Sequence, residues 1–284
     1  MPFALLQDRA LISVSGPDAE HFLQNILTVD LDKLGGGEAK PGALLSPQGK
    51  ILFDFLISRD SEGGFRLECR KDIADDFVRR LTLYRLRAKV ELSKQDQAPI
   101  TVSWGNDSSG SSDESSVEDT RFAKGAVARR YGAAQGDGDL AAWNAFRIAY
   151  GVAESGADYA LGDAFPHDVL LDQTGGVGFQ KGCYVGQEVV SRMQHRGTAR
   201  RRVLIASADT PLPAPGTEIS SAGKALGALG SVAGNQGLAI VRIDRVKDAM
   251  DTGQTIAAGD MAITLAIPDW ATFTFPQQAG AEDA

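Results

Sequence analysis

The sequence predicts an α+β protein that ends in a small β-barrel, on three observations. Over the first hundred residues the apolar positions switch between strand and helix periods in the order β-α-β-β-β-α-β-β. Strands joined by short turns pair antiparallel, so the helices pack on a largely antiparallel sheet, as in α+β rather than doubly wound folds. From about Arg200 onward, "RRVLIASA", "GTEISSAGKALGALGSVAGNQGLAIVRIDRV" and "AITLAIP" are short β-like runs punctuated by Gly and Pro. That texture marks a closed or nearly closed barrel.

Taken in order, "ALISV" (10–14) is a strand. "SGPDAEHFLQNIL" is a helix with Ser15 as N-cap, Pro17 in the first turn, and Phe22, Leu23, Ile26 and Leu27 on one face. "GALLSPQGKILFDFLISR" (42–59) is a β-hairpin that turns at Pro47 and Gly49. "FRLECR" (65–70) alternates as a half-buried strand, with Cys69 read as out of phase with Phe65 and Leu67. "KDIADDFVRRLTLYRLR" (71–87) sets Ile73, Phe77, Leu81 and Tyr84 at helical spacing, and "AKVELS" and "PITVSW" are two further strands. "NDSSGSSDESSVED" (106–119) is serine-rich and acidic with Val117 as its one apolar residue, too little to offset chain entropy. Then "RFAKGAVARRYG" reads as a strand, "DLAAWNAFRIAYG" (139–151) as a helix closed by Gly151, and "FPQQAGAEDA" as a frayed tail. The expected organisation is a first α+β unit over 1–105, a flexible loop over 106–120, a second α+β unit over 121–199, and a barrel with its tail over 200–284.

Composition narrows the function. The net charge of −8 argues against a general nucleic-acid binder. Two cysteines, Cys69 and Cys183, make no disulfide framework and cannot alone hold an ordinary iron–sulfur cluster. The start "MPFALLQDRALISVSG" reads as neither a secretory signal nor a transit peptide, and no window reaches the roughly 18 apolar residues of a membrane span. A cytoplasmic protein is expected, with no direct nucleic-acid or membrane partner.

The chemistry concentrates in "KGCYVGQE" (181–188), which runs into the helical segment "VVSRMQHRG". Lys181 and a following helix N-terminus both favour thiolate at Cys183. Gly182 and Gly186 permit close backbone approach or positive φ. Tyr184, Gln187, Glu188 and Arg192 complete the loop, with Glu188 and Arg192 at ion-pair spacing. A lone cysteine is more often a small core residue, which is the reading for Cys69. His195 lies twelve positions after Cys183, a poor fit to a Cys–His pair, and two Cys with three His show no zinc spacing. Arg192, Arg196, Arg200, Arg201 and Arg202 form a basic cluster, either a solvated face or a carboxylate-binding one.

The unbroken "GVGFQKGCYVGQEVVSRMQHRGTARRR" closely resembles the signature of YgfZ-type folate-binding proteins, relatives of the glycine-cleavage T-protein that include a mitochondrial iron–sulfur assembly factor. "HFLQNILTVDL", "GALLSPQGKILFDF", "LRAKVEL", "GDAFPHDVLLDQTGGVGFQ" and "GLAIVRID" agree, so the resemblance spans nearly the whole chain outside the serine-rich loop. It implies two ferredoxin-like units and a C-terminal barrel around a central folate cavity. It also implies a tetrahydrofolate-binding accessory protein for assembly or repair of [4Fe–4S] enzymes, with iron–sulfur assembly proteins or client enzymes as partners and a link to tRNA modification. Cys183 would be the working thiol, able to hold a transient cluster. Arg192, Arg200 and Arg201 would meet folate's anionic tail. Asp54 is the one match to the T-protein's catalytic aspartate. Where the T-protein has a folate-contacting glutamate, "RIAYG" (147–151) has Ala149, and Asp168 stands for the family's glutamate after F-P-x. The alternative is a one-carbon transferase or demethylase with Asp54 as base, and a third reading is an interaction module that has lost its ligand.

Overall fold

The computed structural model describes residues 1–96, 98–105, 116–132, 138–197 and 199–276. A first unit comprises Met1–Asn144, Ala160–Pro166 and Leu170–Gly197, and a second comprises Ala145–Tyr159, His167–Val169 and Thr198–Ala284. The strands of the first unit are β1 (Phe3–Leu5), β2 (Arg9–Ser15), β3 (Glu38–Leu45), β4 (Ile51–Arg59), β5 (Phe65–Arg70), β6 (Glu91–Gln95), β7 (Ile100–Trp104), β8 (Ser116–Asp119) and β9 (Val127–Tyr131). Its helices are α1 (Ala19–Ile26) and α2 (Ala74–Arg85); α3 (Leu140–Tyr150) and α4 (Gln187–Arg196) follow in the chain.

The nine strands form one sheet in the order β1-β7-β9-β8-β3-β4-β5-β2-β6. Every pairing is antiparallel except β3 with β8. Strands on both sides of the serine-rich segment are thus bonded into one sheet, and the boundary expected there divides no hydrogen-bonded unit. The last residues of that segment are not a loop: Ser116–Asp119 is β8, with Val117 and Asp119 buried. Residues 106–115 lie outside the described residues.

One face of the sheet carries the core. Phe53, Phe55 and Ile57 of β4, with Phe65, Leu67 and Cys69 of β5, pack under Phe22, Leu23 and Ile26 of α1 and Phe77 and Leu81 of α2. Phe77 stacks on Phe53 and Phe55 at 4.8 and 5.5 Å. Cys69 shares the face of Phe65 and Leu67, because residues two and four apart on a strand point the same way. This corrects the expected phase and agrees with a structural role; burial pushes the Cys69 thiol up to about 12. Ser15 ends β2 and caps nothing. Gly16 makes the turn at φ 109°, Pro17 precedes the helix, and Asp18 accepts the Lys89 N–H at 2.7 Å. β1, too short to show a period, was not expected.

Glu68, the polar residue that makes β5 look half-exposed, is fully buried. It accepts from Arg9 at 3.1 Å, Arg129 at 2.8 Å and the Tyr131 hydroxyl at 3.1 Å. Arg129 also donates to Asp119, which Arg121 grips at 2.9 and 2.7 Å.

The second unit holds β10 (Arg201–Ser207), β11 (Glu218–Ser221), β12 (Lys224–Ala233), β13 (Gln236–Arg242), β14 (Ile256–Ala258), β15 (Met261–Ala262) and β16 (Thr264–Ala266). They form an antiparallel sheet ordered β15-β14-β11-β12-β13-β10-β16. Its two edge strands are separated in sequence by Ile263 alone, so the sheet's edges adjoin and the barrel nearly closes. "IDRV", expected to continue a strand, opens α5 (Ile243–Asp251), whose Ile243, Val246 and Ala249 enter the barrel core at helical spacing. Arg147 is buried here, bonded to Asp158 at 2.9 Å and Ser231 at 2.7 Å. The expected frayed tail beyond Pro276 lies outside the described residues.

Candidate functional site

The Cys183 loop is held at both ends, and every anchor belongs to the first unit. At the N-terminal end, Thr28 is the hub. Its hydroxyl donates to Gly176 O at 2.7 Å and accepts the Ala43 N–H at 2.9 Å, while its carbonyl accepts from Gly178 N at 2.7 Å. Lys181 then reaches inward, donating to Leu27 O at 2.8 Å and Val29 O at 2.7 Å. Gly178 leaves room for this, since a Cβ there would lie 2.7 Å from the Lys181 stem and 2.9 Å from Asp30 Cβ. Burial pulls the Lys181 ammonium down to about 8, against the opposing pull of Asp30 and Asp32.

At the C-terminal end, Gly186 is the N-cap of α4 at φ 80°. A side chain there would strike Ser46 O at 2.5 Å and crowd Gly49 Cα at 3.1 Å. The motif's second glycine therefore docks on the β3–β4 turn. That turn closes through Gly49 N to Ser46 O at 2.8 Å and is tied to residues 160–166 by Ile51 N to Ala164 O at 2.9 Å. Gly182 has neither a positive φ nor a neighbour within 4 Å of an added Cβ. Of the two glycines, only Gly186 is used as expected.

Between the anchors Cys183 is exposed and its thiol is free. α4 begins at Gln187, so the thiol lies ahead of the N-cap and outside the first turn. The Lys181 ammonium points to main-chain carbonyls and, at 5.4 Å, to the Tyr184 ring. Tyr184 is buried, its hydroxyl has no hydrogen-bond partner among the described residues, and burial pushes it up to about 12. Gln187 opens α4; Glu188 and Arg192 meet on its exposed side at 3.9 Å. His195 sits in the helix's last turn, roughly 12 Å along it from Gln187, which makes a poor Cys–His pair. Among the described residues no three His, Cys, Asp or Glu side chains gather as metal ligands would.

The remaining nominated residues are dispersed. Asp54 lies mid-β4 opposite Ala43 and is half-buried. Arg200 and Arg201 belong to the second unit, where Arg201 approaches Asp168 at 3.9 Å and Arg200 is exposed without a side-chain partner among the described residues. Ala149 is exposed on α3. Sequence reasoning missed Thr28 and Gly178 as anchors, although both lie in quoted stretches, Thr28 in "HFLQNILTVDL" and Gly178 in "GVGFQKGCYVGQE".

Residues 200–273 match the family model described as the CAF17 C-terminal beta-barrel domain. Over nearly the full chain the similarity is to the iron–sulfur cluster assembly factor IBA57, mitochondrial, of Mus musculus: 30% identity, covering 93% of this chain and 84% of that protein. The mitochondrial IBA57 homolog of Pyricularia oryzae is 31% identical, covering 90% and 75%. The chain belongs to the IBA57 family of iron–sulfur cluster assembly factors. A crystal structure of the glycine cleavage system aminomethyltransferase T from Bartonella henselae, 17% identical, superposes with a TM-score of 0.75 over 95% of this chain and 86% of that one. An IBA57-family chain therefore has the T-protein fold. The IBA57 relatives carry mitochondrial names, which overturns the expected cytoplasmic location. Unpaired thiols report a reducing compartment and do not tell cytoplasm from an organelle interior. Among the described residues no helix is long and apolar enough to cross a membrane.

Proposed function

We propose that this protein supports assembly or repair of [4Fe–4S] enzymes through Cys183, with a reduced folate as its bound small molecule. The observation that carries this reading is the presentation of Cys183: an exposed thiol on a short loop pinned by Lys181 on one side and Gly186 on the other. A rigid loop offers the sulfur without an ordering cost at each encounter. The names of the IBA57 relatives support the iron–sulfur role.

The cluster is cargo. Cys183 would supply one thiolate, releasing its proton as the iron–sulfur bond forms. The other ligands come from an assembly protein or client enzyme, since no second ligand group gathers at Cys183 among the described residues. The link to tRNA modification follows through client iron–sulfur enzymes. The YgfZ-type assignment, like the folate, belongs to this reading.

For folate the residues fit one end of the ligand. Among the described residues the exposed side chain of Arg200 has no partner, and that of Arg192 meets Glu188 at 3.9 Å. A guanidinium of this kind suits a glutamyl carboxylate, in the first unit at Arg192 and in the second at Arg200 or Arg201. Asp54 is the carboxylate nominated for a pterin. Ala149 offers a methyl group where pterin N–H groups need an acceptor, which opposes the transferase reading.

The test is aconitase activity in a strain lacking the gene, re-expressing either the wild type or Cys183→Ser. Restoration by the wild type alone is expected. Normal aconitase without the gene, or full rescue by Cys183→Ser, overturns the proposal. Calorimetric titration with tetrahydrofolate tests the ligand separately, with Arg192→Ala and Arg200→Ala expected to weaken binding.

A further inference from the structure

The C-terminal end of α2 presents a second unexplained surface. Leu83 is 71% exposed and Leu86 is 89% exposed, although α2 turns Phe77 and Leu81 into the core on its other side. Arg79 and Arg80 stand four and three positions before Leu83 on α2, and Leu86 and Arg87 follow directly after its last residue, Arg85. Arg79 pairs with Asp76, but Arg80 and Arg87 are exposed and neither has an ion pair or side-chain hydrogen bond among the described residues.

Leu86 is also held in an unfavourable backbone conformation, φ 47° and ψ −107°, as the residue that ends α2. Helices commonly close with glycine at positive φ, because a Cβ is strained there. Leucine at that position gains no buried contact in return. The turn around it is pinned nonetheless: Ala88 N bonds to Arg85 O at 2.8 Å, Arg85 Nη1 to Val90 O at 3.1 Å, and Lys89 N to Asp18 Oδ2 at 2.7 Å. A pinned, strained turn that holds an apolar side chain out in solvent is what a docking site keeps and a folding core would discard.

We infer that the end of α2 docks a protein segment that carries leucine-sized apolar side chains flanked by carboxylates. Charge complementarity selects this occupant. Two unpaired arginines border two leucines in a chain whose net charge is −8, so the patch opposes the sign of the molecule around it. An anionic membrane is disfavoured by that net charge, and the neighbouring aromatic, Tyr84, is half-buried against the core rather than presented with the leucines. A single-stranded nucleic acid needs aromatic faces to stack on, and leucine has none.

The test uses the full chain and a short fluorescein-labelled synthetic helical peptide with leucine on one face and glutamate beside it. A matched leucine–lysine peptide and phosphatidylserine–phosphatidylcholine vesicles serve as controls. The glutamate peptide is expected to bind in fluorescence polarisation. Leu83→Ser with Leu86→Ser should weaken it by about tenfold or more. Arg80→Glu with Arg87→Glu should transfer preference to the lysine peptide. Leu86→Gly should weaken binding while holding or raising the melting temperature, because it relieves positive-φ strain. The inference is overturned if the glutamate peptide binds no better than the lysine peptide, if only vesicles bind, or if Leu86→Gly lowers the melting temperature without affecting the peptide.

Discussion

Arg129 Nη1 on β9 donates to Glu68 Oε1 on β5 at 2.8 Å, although four steps of the sheet order separate the two strands. Strands lie about 4.8 Å apart, so a flat sheet would hold this pair at roughly 19 Å. The sheet must coil until its far strands face each other, and the Glu68 network sits where they meet. Removing one partner leaves Arg9 and Arg129 buried without their shared anion. Glu68→Ala should lose about 3–5 kcal/mol of stability in urea unfolding. Glu68→Gln, which keeps an acceptor for Arg129 and Tyr131, should lose less. Equal midpoints for wild type and Glu68→Ala would mean the network contributes no stability.

Asp119 makes the same network sensitive to acid. Burial alone would raise its carboxyl, but Arg121 and Arg129 outweigh burial and hold it below the ordinary carboxylate range. The folded state therefore binds this proton less readily than the unfolded chain, whose value is about 3.9. The associated stability is fully present above that value and is lost as pH falls through the lowered folded value. Thermal unfolding followed from neutral pH into acid should show a melting temperature that falls less steeply in Asp119→Asn than in the wild type. Identical acid slopes would exclude this carboxylate as a source of acid sensitivity.

Much of this architecture could be read in advance, and the failures have physical causes. Period-two and period-3.6 patterns found β2 to β5, α1, α2 and the barrel strands, because each element has one buried face. β5 misled because Glu68 is polar yet buried: alternation detects which residues are apolar, and an ion network buries charge as well. β8 escaped because its buried Asp119 looks like loop composition until Arg121 and Arg129 are placed beside it. α5 escaped because "IDRV" continues β13 without a break and four residues are too few to show a change of period. At the site, "KGCYVGQE" identified the right loop. The targets of Lys181 are main-chain carbonyls of residues about 150 positions away, which carry no side-chain signature.

The two motif glycines should separate cleanly in an alanine pair. Gly186→Ala places a Cβ 2.5 Å from Ser46 O at φ 80°, so the loop must leave the β3–β4 turn or strain it. A loss of about 1–3 kcal/mol is expected, with faster amide exchange across residues 180–186. Gly182→Ala meets nothing within 4 Å and should leave both measurements unchanged. Equal behaviour of the two variants would contradict the docking of Gly186 on the turn.

Lys181 should couple this loop to alkaline pH. Burial draws its ammonium down to about 8, while the unfolded lysine titrates near 10.4. Between those values the unfolded chain keeps a proton that the folded chain has released, so stability rises with pH across the window. The gain is complete above about 10.4 and is lost as pH falls through about 8. The neutral amine still has two N–H groups for Leu27 O and Val29 O, so the clamp survives deprotonation. Lys181→Met should remove the rise with pH and leave both carbonyls without their donor, costing about 1–3 kcal/mol and exposing the loop to amide exchange. Lys181→Arg tests charge apart from donation, because a guanidinium stays protonated throughout the window. It should abolish the pH dependence while keeping part of the exchange protection; only part, because Gly178 leaves a gap sized for the lysine stem. A pH rise that persists in both variants would assign it to another group.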